Sequence, residues 1–387
     1  MNEHATLTEP PRPRLPLELL LLICDECETQ STLAALCRIW RGFKAPVERR
    51  LYRNVDLVGR SMATILSWCR TLRRHPRLPK LVHSLRIQLP HAIKISPEDA
   101  SKIAPALVSC VNLKVLRFLR EEADRQSGTD WVLEMCSFRL TEFACSYLDS
   151  FRIKKVLAKQ PELRFLRVVG GPRLELLSLE AEPWGPRPEL PNLVGIKGPA
   201  SFFGHPHNRP LQRIEIALSY SCWIPPLEKY AGTLTTLNIL LPASNAVSTG
   251  ETLDSISKIL PCLVHLAIVE EQLWLFPHKR QWESLPCLEA FTRLKTLSLI
   301  YRDDSMGFNS DKRQAFSGGS ARDGGVVREV LGCCLEACLS LRRMTIGTEA
   351  ERGVERMYTS RRSSGGTEIE TTTYGYIDFE AISMFWV

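Results

Sequence analysis

The 387-residue sequence is most informative at first for what it lacks. No apolar run approaches the roughly 20 residues that cross a bilayer as a helix, so a membrane-spanning role is not expected. No Gly-x-Ser-x-Gly elbow is present, which leaves hydrolase chemistry without its nucleophile turn. Glycine pairs stand at Gly318-Gly319 and Gly324-Gly325, but no Gly-Lys-Ser/Thr follows them, so a phosphate cradle is not built. Residues 1–14 are polar and proline-bearing, unlike a secretory leader, and there is no Asn-x-Ser/Thr sequon. Thirteen cysteines, an odd count, then read as reduced thiols of a cytoplasmic or nuclear protein.

The cysteines and histidines that are present do not assemble a catalytic or metal site. Cys24-Asp25-Glu26-Cys27 is a CxxC, yet no second Cys/His pair follows at zinc spacing, so both read as helix-face cysteines. Cys333, Cys334 and Cys338 fit the apolar face of one helix, and His205-Pro206-His207 is a loop pair without further ligands. No cofactor and no enzymatic activity are expected. The formal charge of +7 is uneven: from Arg70 to Arg120 there are eleven Lys or Arg against Glu98 and Asp99 alone. Arg70, Arg73, Arg74, Arg77 and Lys80 are its densest part, and a solvated outer face is the favoured reading. No aromatic-basic interleaving of an RNA-binding type accompanies this run, so nucleic acid is an unlikely partner.

Residues Leu15 to Leu57 form a distinct block. Leu15-Pro16 opens it, with proline suited to a first helical turn and Glu18 placed at the positive end of the helix dipole. Leu19, Leu20, Leu22 and Ile23 give a wide apolar face. Ser31 or Thr32 is a candidate cap for a second helix carrying Leu33, Leu36 and Trp40. A third helix is expected from about Phe43 to Leu51, before Tyr52-Arg53-Asn54-Val55-Asp56-Leu57. Taken in order, Leu15-Pro16-x-Glu18-Leu19, Ile23, the Leu33–Trp40 helix and Leu51-Tyr52-Arg53 resemble the F-box, in its fungal form. The F-box is the adaptor-binding module of Skp–cullin–F-box ubiquitin ligases. This resemblance implies adaptor contacts by Leu15, Pro16, Leu19, Leu20 and Ile23, helped by Leu33, Leu36 and Trp40.

From residue 82 onward an apolar residue is followed by others at +3 and +5, again and again. The clear copies begin at Leu113, Leu163, Leu174, Leu211, Leu234, Leu263, Leu294 and Leu341; weaker ones begin at Val82, Leu140 and Leu193. Residues at +3 and +5 share one face of a strand. Helical patterns fill several gaps: after Ser96-Pro97, at Ile153–Leu157, at Leu253–Leu260, and from Val327 through Cys338. The stretch resembles the leucine-rich-repeat domains that follow many F-boxes. It departs from them in one respect: none of the eleven copies has the family's Asn or Cys eight residues after the first leucine.

The fold expected is therefore α/β: a three-helix F-box-like module at 12–58, a divergent leucine-rich-repeat-like solenoid at 59–347, and a flexible segment with a C-terminal cap at 348–387. Glu182–Pro191, Gly198–Pro210 and the polar, glycine-rich Arg302–Gly325 interrupt the repeats. The aromatic tail Tyr374–Val387 is expected to fold back over the last repeat. The resemblance implies a substrate receptor that joins a Skp-type adaptor, and through it a cullin, to an unidentified protein substrate. Polar residues between the apolar strand positions, Arg86, Arg117, Arg167, Glu215, Asn238, Ala267 and Ser298, are the candidate substrate contacts. Two other classes fit the composition: a leucine-rich scaffold outside any ligase, and a nucleic-acid-associated protein using the Arg70–Arg120 excess.

Overall fold

The structure is a computed structural model that describes residues 16–27, 29–39, 41–89, 96–120, 131–146, 155–169, 190–203, 210–218, 224–241, 249–270, 286–301, 330–350, 354–363 and 366–374. The architecture is mixed α/β with a mostly parallel sheet. It divides into two compact units, Met1–Leu140 and Thr141–Val387, a division that falls inside the expected solenoid span.

The first unit opens with α1 (Leu17–Asp25), α2 (Gln30–Ile39), a 3-10 turn and α3 (Lys44–Arg53). These pack on Leu20, Cys24, Leu33, Phe43 and Val47, with Cys27, Leu36, Cys37 and Leu51 against them. The cap of α2 differs from expectation: Thr29 Oγ1 accepts from the Thr32 amide at 3.1 Å, ahead of both Ser31 and Thr32. Arg50 pairs with Asp25 and donates to its carbonyl at 3.0 Å, tying α3 to the end of α1.

Residues 54–57, expected as the exit of the helical module, are strand β1 (Asn54–Leu57) and pair parallel with β2 (Ser84–Leu89), Val55 beside Leu85 and Leu57 beside Ile87. The register explains why: Tyr52, Val55 and Leu57 repeat the +3/+5 spacing, with tyrosine in place of the leading leucine. At the turn after β1, Gly59 adopts φ 66, the left-handed region that glycine enters without a Cβ clash. Helix α4 (Met62–Arg74) was not anticipated; Ser61 caps it, and Met62, Ile65, Cys69 and Leu72 fall on one buried face. Arg70, Arg73 and Arg74 lie exposed on the same helix, so this part of the basic run is a solvated face. Helix α5 (Pro97–Ser109) starts as the sequence indicates, with Ser96 Oγ accepting from the Asp99 amide at 3.0 Å. Strand β3 (Val115–Arg120) pairs with β2, and the short α6 (Trp131–Glu134) closes the unit.

The second unit continues the pattern with β4 (Glu142–Ser146), β5 (Phe165–Val169), β6 (Gly195–Pro199), β7 (Arg213–Ala217), β8 (Thr236–Leu241), β9 (His265–Glu270), β10 (Thr296–Tyr301) and β11 (Arg343–Ala350), each parallel to the next. Helix α7 (Thr249–Ile259) and helix α8 (residues 330–337) occupy gaps where helical spacing predicts them. The +3 positions stack from strand to strand: Ile214 on Leu237, Leu237 on Leu266, Leu266 on Leu297, Leu297 on Met344. All of these are at most 2% exposed, and each such burial contributes about 1.5–3 kcal/mol. The Leu174 copy lies outside the described residues.

The segment expected to be flexible after residue 347 instead continues the sheet as an antiparallel hairpin, β12 (Val354–Ser363) with β13 (Gly366–Tyr374). Its composition is polar, but Thr359, Thr371, Thr372, Thr373, Tyr358 and Ile369 are β-formers, and Ser363-Ser364-Gly365-Gly366 supplies turn residues. The tail after Tyr374, expected as a cap, lies outside the described residues.

Candidate functional site

Two surfaces collect the residues singled out by sequence. The first is on the N-terminal helices. Leu20 and Leu33, both 4% exposed, serve the block's own core, and Leu36 packs against that core. Leu19, Leu22 and Ile23, at i, i+3 and i+4 on α1, are instead 45%, 58% and 39% exposed and form one outward stripe. Pro16 stands exposed at the N-cap of α1. Leu15 and Trp40 lie outside the described residues. Leu22, which the sequence placed only in a general apolar face, is the most exposed of the stripe. Ile39 at the end of α2, 74% exposed, was not anticipated as a contact.

The two cysteines of the CxxC motif are committed to packing. Cys24 is buried in the block core, and burial, with Cys27 and Asp25 nearby, pushes its thiol pKa up. Burial likewise raises Cys69, Cys110 and Cys334 to about 12, which keeps these thiols protonated and unreactive.

The second surface is the row of strand residues between the apolar positions. The ladder places Asp56, Arg86 and Arg117 side by side in the first unit. In the second unit it aligns Ala144, Arg167, Lys197, Glu215, Asn238, Ala267, Ser298, Thr345, Thr359 and Glu370. Within each unit, every substrate candidate therefore lies on the strand face opposite the leucines. Accessibility along it is uneven. Glu215 and Asn238 are only 3% and 2% exposed, whereas Arg86, Arg117, Arg167 and Ser298 are half-buried. Arg86 pairs with Asp56 at 3.2 Å, and Lys197 pairs with the buried Glu215. Thr345 Oγ1 and Thr359 Oγ1 are 3.3 Å apart and continue the polar row onto the hairpin.

In four of the copies the side chain one step before the first leucine bonds back to an earlier turn. Asn112 Nδ2 donates to the Lys80 carbonyl at 2.7 Å, Asn192 Nδ2 to Pro161 at 3.0 Å, Thr233 Oγ1 to Leu211 at 2.9 Å and Ser340 Oγ to Phe291 at 3.2 Å. Each bond clamps one turn to the turn of the copy before it. Asn, Thr or Ser immediately ahead of leucine was the legible signal.

Among the described residues no helix is long and apolar enough to cross a membrane. No known family model matches the chain, and a search of curated proteins returns no match.

Proposed function

We propose that the chain is a non-catalytic substrate receptor of a Skp–cullin–F-box ubiquitin ligase. The observation that carries this reading is the outward stripe Leu19-Leu22-Ile23 on α1, with Ile39 on α2. These large apolar side chains stand in water on a block whose own core is already filled by Leu20, Cys24, Leu33, Phe43 and Val47. Exposed apolar clusters of this kind mark protein contacts. The order of residues from Pro16 to Arg53 resembles the F-box, which gives the contact its partner: a Skp-type adaptor, and through it a cullin. The half-buried polar strand positions, Arg86 and Arg117 in the first unit and Arg167 and Ser298 in the second, are the contacts this reading offers to the protein substrate. The receptor's contribution is positional, raising the effective concentration of substrate lysines near the ubiquitin carrier.

The test is co-expression with a Skp-type adaptor followed by size-exclusion chromatography, with Leu22→Glu/Ile23→Glu alongside. A one-to-one complex that is lost in the variant is the expected result. Elution of the intact, folded chain alone would remove the adaptor from the account and leave a leucine-rich scaffold.

A further inference from the structure

A cleft of about 570 Å³ in the second unit is lined by Thr292, Arg293, Lys295, Leu339, Ser340, Leu341, Arg342 and Arg362. Four of these carry positive charge and none is acidic. The backbone explains how they meet. Lys295 precedes β10, Arg342 precedes β11, and Arg362 lies on β12. The Arg342 amide donates to the Lys295 carbonyl at 2.9 Å, and the Arg362 amide to the Arg342 carbonyl at 2.9 Å. Three cations thus occupy successive rungs of the sheet, where strands lie about 4.8 Å apart and like charges repel.

Arg362 is engaged with the end of α8, donating to the Leu339 carbonyl at 2.9 Å and to the Leu335 carbonyl. Arg293, Lys295 and Arg342 are exposed, and among the described residues they have no carboxylate partner. Leu339 stands in the same cleft at 82% exposure, the highest of any large apolar residue described. Another cleft, about 600 Å³ and lined by Arg41, Lys44, His75 and Arg77 among others, differs in kind. It holds Glu48, which pairs with Arg77 and offsets part of its charge.

We propose that the Arg293–Lys295–Arg342 cleft binds an acidic segment of a partner protein that also carries an apolar side chain for Leu339. Carboxylates relieve the repulsion between the stacked cations, and the apolar side chain covers the exposed leucine. A nucleic acid fits less well, because the cleft has a leucine where base stacking needs an aromatic ring. The proposal does not depend on the adaptor reading, since it uses no residue of the N-terminal block.

The full chain is titrated, at low salt, into a fluorescein-labelled twelve-residue peptide of aspartate and glutamate with one central leucine. Parallel titrations use the same peptide with glycine for leucine, and a twelve-residue oligothymidylate. Expected results are saturable binding of the leucine peptide, weakening with salt, and weaker binding of the other two probes. Lys295→Gln and Arg342→Gln each weaken binding about two- to fivefold, the worth of one exposed ion pair. Leu339→Ser removes the advantage of the leucine peptide over the glycine peptide. Arg73→Gln, with the same loss of charge on α4, leaves binding unchanged, and melting curves check that every variant is folded. The proposal is overturned by no binding of the leucine peptide, by equal weakening in Arg73→Gln, or by tighter binding of the oligonucleotide.

Discussion

Leucine serves opposite purposes in the two parts of this molecule. In the strand repeats, the first leucine of each copy and the residues at +3 and +5 are buried wherever they are described; Leu237, Leu263 and Leu294 are wholly inaccessible. On α1 the apolar residues split: Leu20 and Cys24 turn inward, while Leu19, Leu22 and Ile23 stay in water. A strand row has a neighbouring copy on either side to cover it. Three short helices can bury only one face each against one another, and the remainder of a leucine-rich helix has nowhere to go without a partner. Burial in the repeats builds the fold; exposure on α1 leaves an apolar surface for the proposed contact.

The sharpest way to break that contrast is to cut leucines from both sides of it. Leu237→Ala in the sheet, or Leu20→Ala in the helical core, is expected to cost about 2–5 kcal/mol in denaturant unfolding. Leu22→Ala, two residues from Leu20 on the same helix, is expected to stay within about 0.5 kcal/mol of the parent. Equal losses at Leu20 and Leu22 would erase the distinction between the two faces of α1.

The polar row sharpens the comparison from the other face of the sheet. Lys197→Met leaves the buried Glu215 carboxylate without its cation and is expected to cost about 3 kcal/mol. Lys197→Met/Glu215→Leu, which removes both charges, should recover most of that loss. If the single variant unfolds no earlier than the parent, the pair plays no structural part. The inter-copy clamps come next: Asn192→Ala and Ser340→Ala should each cost about 1 kcal/mol, the usual worth of one hydrogen bond.

The smallest effect is a pH dependence. His265 sits beside Thr296, with Nδ1 2.7 Å from Oγ1, and burial, then Lys295 and Arg213, holds its pKa below 6.5. The unfolded chain therefore takes up the proton first as pH falls, and stability is lost from about 6.5 downward. His265→Gln should flatten this part of the curve, measured as melting temperature against pH.

Much of the repeat was legible because its signal is local. The +3/+5 spacing located nearly every strand described, and Ser96, Leu253 and Leu331 marked helices that form where expected. The remaining elements carry weaker local signals. Strand β1 is obscured because Tyr52 replaces the leading leucine, and α4 because its arginines give a basic composition to a stretch whose Met62, Ile65, Cys69 and Leu72 form the apolar face. The β12–β13 hairpin was hidden by a polar composition that reads as loop until the strands pair. For the surfaces, residue type could nominate Leu19 through Leu36 but not sort them, because inward and outward positions on a short helix follow from how three helices dock. Glu215 and Asn238 were sensible candidates by register, yet the sheet keeps both at 3% exposure or less.

The central claim is that the α1 stripe is a contact surface and not part of the fold. It is tested most directly by measuring, on the same full-length samples, adaptor affinity by calorimetry and melting temperature. The parent, Leu19→Ala, Leu22→Glu and Ile23→Ala would be compared. The account predicts affinity weakened about tenfold or more in Leu22→Glu, as expected for a contact anchor, with melting temperatures unchanged. Unchanged affinity in all three variants, or a melting temperature that falls with the stripe, would contradict it.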